Sequence, residues 1–109
     1  MTEISLRELC TQLGVSRRAV QGYEKANLVS ASNKTDSGYL LYNEEAKNRI
    51  KQIKLYQDMG FSIKEIKAII DAPSEIRKVA LMSRKEKLEE NIIHTHNMVK
   101  IIEEMLKVM

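Results

Sequence analysis

Ser16, Arg17, Arg18 and Gln21 lie within one short stretch of this chain. Two permanent cations beside a hydroxyl and an amide suit recognition rather than bond making. A guanidinium matches the oxygens of a phosphate in a fork, and a glutamine amide pairs with a phosphate or an adenine edge. Lys51 and Lys54 add two cations one helical turn apart. The groups that catalysis needs are missing: there is no glycine-rich phosphate loop and no nucleophile or carboxylate constellation, so no enzyme is expected. His94 and His96 are two positions apart, which on a helix turns them to different sides and prevents them from sharing a metal. The single cysteine, Cys10, excludes an internal disulfide, a multi-cysteine zinc site and an iron–sulfur cluster held by this chain alone. No cofactor is expected.

The 109 residues, 43% of them hydrophobic, suffice for one modest core with an appendage. With 18 Lys+Arg against 15 Asp+Glu, the formal charge of +3 favours polyanions only mildly, so any cationic surface depends on placement rather than totals. No apolar run approaches the roughly 18 residues of a membrane span, and the N-terminal "MTEISLREL" lacks a hydrophobic signal segment. A soluble, cytoplasmic protein without membrane contacts is expected.

The cationic cluster must be held by helices. Leu6, Leu9, Cys10 and Leu13 recur at helical spacing, and Ser5 with Glu8 forms a capping box that opens this first helix. Cys10 reads as a small core residue. Gly14 stops the helix, Val15 plugs the turn, and Ser16 caps a second helix, "RRAVQGYEKA", with Ala19, Val20 and Tyr23 facing inward. Helix, glycine turn, helix is the order of a helix-turn-helix. Turn formers Ser32, Asn33, Asp36, Ser37 and Gly38 follow, between strand-like pieces at Leu28–Val29 and Tyr39–Tyr42, which predicts a small β-hairpin wing. Asn43 caps a third helix carrying Ile50, Ile53 and Tyr56 and ending at Gly60. Ser62 and Glu65 open a fourth, with Ile63, Ile66, Ile69 and Ile70 inward. Residues 1–73 are thus expected to form one winged helix-turn-helix head, closed by Asp71-Ala72-Pro73.

Residues 74–109 form a charged and apolar stretch without glycine or further proline, about 50 Å long as one helix. Steps of four and three from Leu88 pick out Ile92, Thr95, Val99, Ile102, Leu106 and Met109, a coiled-coil seam that needs a partner, and a second copy of the chain is the expected one. Met98, Ile101, Met105 and Val108 widen the apolar face. Ser83 with Glu86 forms another capping box, which leaves a break near Met82 as the alternative to one continuous helix.

Taken in order, "ISLRELCTQLGVSRRAV", "YEKANL", "DSGYLLY", "MGFSIKEIKAII" and "DAPSEIRKVAL" resemble the MerR family of bacterial transcription regulators, its multidrug-responsive and thiostrepton-type branch above all. The resemblance implies a mainly α, winged helix-turn-helix homodimer joined through antiparallel terminal helices. It also implies a pseudo-palindromic promoter site in double-stranded DNA, bent and untwisted so that RNA polymerase engages both promoter elements. Tyr23, Lys34 and Tyr39 stand where family members place backbone or wing contacts. The chain departs from the pattern at Gln21 and Gly22, where the family shows T-I-R-Y-Y-E, at Leu40 in the wing, where it shows G-Y-R-x-Y, and at Ala46, in place of Asp. Two backbone-contacting arginines and a tyrosine are absent, while Arg17 occupies a place the family often fills with an apolar residue. The alternative expectation is a MerR-like protein-interaction module with weakened or lost DNA binding. Effector, target sequence and the sign of regulation stay open.

Overall fold

The computed structural model describes residues 2–109. Strand β1 (Ile4–Ser5) leads into helix α1 (Leu6–Leu13), followed by α2 (Arg17–Lys25), β2 (Asn33–Lys34), β3 (Leu40–Tyr42), α3 (Glu44–Asp58), α4 (Ile63–Ile69) and α5 (Ser74–Lys107). The polar residues expected to start helices do so. Ser5 Oγ accepts the Glu8 N–H at 3.2 Å while the Glu8 carboxylate accepts the Ser5 N–H at 3.2 Å. Ser62 and Glu65 repeat the exchange at α4, and Ser16 and Asn43 cap α2 and α3 with single bonds. In the tail the Ser83 box is not used: α5 runs without interruption past Met82.

Three helices stop by one device. Gly14, Asn27 and Gly60 take left-handed backbone angles, φ 65°, 60° and 104°, directly after α1, α2 and α3 have made their last turn or within one residue of it. The next amide in each case reaches back five residues: Val15 to Cys10 at 3.2 Å, Leu28 to Tyr23 at 3.0 Å and Phe61 to Tyr56 at 3.1 Å. Glycine adopts this conformation freely, and asparagine is among the few other residues that tolerate it. Val15, Leu28 and Phe61 are then all buried. Phe61 meets Tyr56 edge to face, with ring centroids 5.8 Å apart.

The wing differs from its sequence expectation in two ways. Its first arm is Asn33–Lys34, not Leu28–Val29, because Leu28 closes α2 and points into the core. The second arm, β3, is central rather than an edge: Ile4 pairs antiparallel with Tyr42 on one side and Lys34 with Leu40 on the other. Two-residue strands carry too little pattern to be legible from spacing alone.

Leu9, Val20, Tyr42, Ile50, Ile53 and Ile66 are the fully buried centre, so every helix of the head contributes at least one anchor. Arg49 braces this unit from its rim. Its Nε donates to the Leu28 carbonyl at 2.9 Å, and its two terminal nitrogens grip both Asp71 oxygens at 2.7 and 2.8 Å. Contacts divide the chain after Asp71, and the second unit, from Ala72, consists of α5 and its short lead-in.

Since the left-handed turn at Asn27 carries the exit from α2, Asn27→Ala is expected to lower unfolding free energy by about 1 kcal/mol, and Asn27→Gly to leave it equal or higher. Urea denaturation of the three proteins checks this.

Candidate nucleic-acid interface

Helix α2 buries Val20 and Tyr23 and turns Arg17, Arg18, Gln21, Gly22 and Lys25 to solvent. Ser16 satisfies the Ala19 amide at 3.0 Å, Lys25 lies in the last turn, and the two arginines occupy the first. Their charges add to the positive end of the helix dipole rather than cancel it, which strains the free helix slightly and favours an anion there. Among the described residues neither Arg17 nor Arg18 has an ion-pair partner.

The helix is held rigidly from behind. The Tyr23 hydroxyl donates to Gln57 Oε1 of α3 at 2.5 Å, and the Tyr42 hydroxyl of β3 donates to Glu24 Oε1 at 2.7 Å. Tyr23 is only 2% exposed, and its hydroxyl fixes α2 against α3. Burial raises the phenol of Tyr23 above the usual tyrosine range, with the Asp58 charge adding to it. Burial does the same to Tyr42, aided by the hydrogen bond to Glu24.

Wing geometry follows from Thr35. Its carbonyl accepts the Gly38 amide at 2.9 Å, its amide donates to the Tyr39 carbonyl at 2.8 Å, and its hydroxyl oxygen accepts the Tyr39 amide at 3.0 Å. Tyr39 is left 71% exposed at the tip, and the exposed Lys34 lies alongside, its Cε close over Gly38. Leu40 and Leu41, where arginine was expected in one place, are half-buried.

A depression of about 430 Å³ lies between these parts, lined by Ser5, Leu6 and Arg7 of β1 and α1, Arg17 of α2, and Gly38, Tyr39 and Leu40 of the wing. It unites Arg17 and Tyr39 from the sequence-based set and adds Arg7, which sequence reasoning missed. Only the tertiary fold links Arg7 to a helix ten positions on, so no local pattern signals it. The charge of Arg17 also reaches back to Cys10, where it opposes the upward shift that burial imposes on the thiol. The two α3 lysines differ: Lys51 is exposed, whereas Lys54 donates to Asp58 at 3.0 Å one turn on. Among the described residues no group of three or more His, Cys, Asp or Glu side chains is arranged to hold a metal ion, and no helix is long and apolar enough to cross a membrane.

A family model described as the MerR HTH family regulatory protein matches residues 4–73. The chain belongs to the MerR family. Its relatives include the HTH-type transcriptional activator mta of Bacillus subtilis (strain 168), 37% identical over 93 residues that make up 85% of this chain and 36% of that protein. The chain therefore spans about a third of the length of the curated relatives it matches first. A MerR-family transcriptional regulator from Bacillus cereus superimposes with a TM-score of 0.84 at 27% identity, covering 97% of this chain and 81% of the other. HiNmlR, a MerR-family regulator lacking the sensor domain and solved bound to promoter DNA, shares the fold with a TM-score of 0.72 at 17% identity, over 96% of this chain and 88% of its own. The relatives are transcription regulators, and mostly helical MerR architecture with a small antiparallel sheet and a long terminal helix is what this chain displays.

Two outcomes are expected. Gly22 has a right-handed helical backbone, and a methyl group placed on its Cα would meet nothing within 4 Å, so Gly22→Ala should raise unfolding free energy by about 1 kcal/mol, read by thermal or urea denaturation. The raised phenols make the folded state hold their protons more tightly than the unfolded chain does. Their stabilisation is complete below about pH 10 and is lost as pH rises beyond it. Tyr42→Phe, which removes the donor to Glu24, is expected to cost about 2 kcal/mol at neutral pH and to flatten that alkaline loss, as followed by circular dichroism against pH.

Proposed function

We propose that this chain is a sequence-specific DNA-binding transcription regulator that acts as a homodimer. It binds a pseudo-palindromic site in double-stranded DNA and acts on RNA polymerase indirectly, through the shape of the promoter. The observation that carries this reading is the unpaired cationic tip of α2, braced by Tyr23–Gln57 and Tyr42–Glu24 beside an exposed wing. Membership of a family of regulatory proteins supports it, as does a shared fold with a neighbour solved on promoter DNA. Ser16, Arg17, Arg18 and Gln21 offer the first turns of α2 to the groove. Lys34, Tyr39 and Lys51 add backbone contacts, and Lys54 joins them on release from Asp58.

Helix α5 supports the pairing. It buries no residue within its own chain, and Leu88, Ile92, Val99, Ile102, Leu106 and Met109 are between 40% and 93% exposed, with Thr95 in the same row. That row follows the 3.5-residue step of a coiled coil, and a second copy of the same chain supplies a matching row. Two heads held at a fixed span meet a straight duplex imperfectly, and bending and untwisting the DNA is the way both engage. Regulation then becomes a choice between deformations.

The test uses duplexes selected from a random pool and the purified chain. A mass of two subunits is expected in solution. Arg17→Ala with Arg18→Ala is expected to weaken binding at least tenfold and to lower the salt dependence by about 0.9 per lost phosphate contact, with melting temperature unchanged. A single-subunit mass at working concentration, or full affinity in the double variant, overturns this reading. Failure to bind any duplex at low salt, with capture of a protein through Met98–Val108, supports the interaction module instead.

A further inference from the structure

The depression between α1, α2 and the wing is lined by two arginines and no acid. Arg7 comes from the first turn of α1, Arg17 from the first turn of α2, and Tyr39 from the wing tip; Ser5, Leu6, Gly38 and Leu40 complete the lining. Glu8, the acid next in sequence to Arg7, is engaged elsewhere, since its carboxylate accepts from both the amide and the hydroxyl of Ser5. Among the described residues Arg7 and Arg17 have no ion-pair partner. Two like charges share one concavity at the positive ends of two helices, an arrangement that costs free energy until an anion enters.

We propose that Arg7 and Arg17 form a two-armed clamp for one backbone phosphodiester of duplex DNA, with Tyr39 packing against the adjoining sugar. The proposal rests on the DNA-binding reading and names a residue, Arg7, that the reading does not require. Wing position Leu40 is half-buried and apolar, so the wing strand supplies no cation at that point, and the clamp supplies it from the helices instead. A guanidinium fork suits the geometry because it offers parallel N–H donors to two phosphate oxygens, and two forks from different elements fix the phosphate's position as well as its charge. Sequence is not read here; register is.

The experiment measures the affinity of the full chain for a selected duplex across a salt series, for the unchanged protein, Arg7→Ala, Arg17→Ala and the double variant. Arg7→Ala is expected to weaken binding by about five- to tenfold, equally on selected and scrambled duplexes, and to lower the salt slope by up to about 0.9 per subunit. Because both arms hold one phosphate, the loss in the double variant should differ from the product of the single losses. Melting temperature is not lowered in any of them, since neither side chain carries a structural bond and removing either relieves the repulsion between them. Normal affinity and slope in Arg7→Ala overturn the clamp while leaving DNA binding itself intact, and strictly multiplicative losses overturn the shared phosphate. Inorganic phosphate titrated by NMR is the remaining arm: saturable, Arg7-dependent binding of the free ion without any Arg7 effect on the duplex overturns the proposal in favour of a free-anion site. Absence of duplex binding by the unchanged protein falls on the underlying reading instead.

Discussion

A left-handed residue ends α1, α2 and α3 in turn, and the apolar residue after each one is driven into the core. This pairing of a backbone conformation with a buried side chain sets the direction in which the chain leaves each of these three helices. Val15 decides the angle between α1 and α2, Leu28 sends the chain from α2 towards the wing, and Phe61 folds α4 back beside α3. The functional face is a by-product of these choices. With Val20 and Tyr23 committed inward and Leu28 anchoring the exit, the remaining side of α2 has no alternative to solvent.

Much of this was legible in advance, because each device is local. A capping box needs Ser and Glu three apart, and a helix stop needs Gly before an apolar residue; Ser5–Glu8, Ser62–Glu65, Gly14 and Gly60 all announce themselves that way. Asn27 uses the same closure in a quieter residue, and so Leu28–Val29 read as a strand when Leu28 was a plug. The third strand was illegible for another reason: Ile4–Ser5 is two residues long, and its meaning lies in Tyr42 and Leu41 far along the chain. Tyr23 shows the limit for single residues. Its spacing marks it as inward, but its hydrogen bond to Gln57, thirty-four positions on, follows from the tertiary fold and from no local pattern.

The charge pattern of the head is concentrated on rigid elements. Arg17 and Arg18 sit in the first turn of a helix fixed by buried tyrosines, while the wing carries half-buried leucines between Tyr39 and Tyr42. Cations presented from helices lose less freedom on meeting a polyanion than cations on a mobile hairpin. Gly22 works in the opposite sense, since it weakens the middle of the helix and leaves open space on the outer face. The outer face of α2 thus carries Arg17 and Arg18 in its first turn, an open place at Gly22 and Lys25 in its last turn.

Arg49 joins two places that the sequence keeps far apart. One nitrogen holds the carbonyl of Leu28, where the reading helix has just ended, and two hold Asp71, the last residue of the head. Covalent continuity carries Asp71 into Ala72 and the rod beyond it. A planar guanidinium bonded through three nitrogens thus ties the exit of α2 to the residue at which the head ends, across twenty-two positions of sequence on one side and twenty-one on the other.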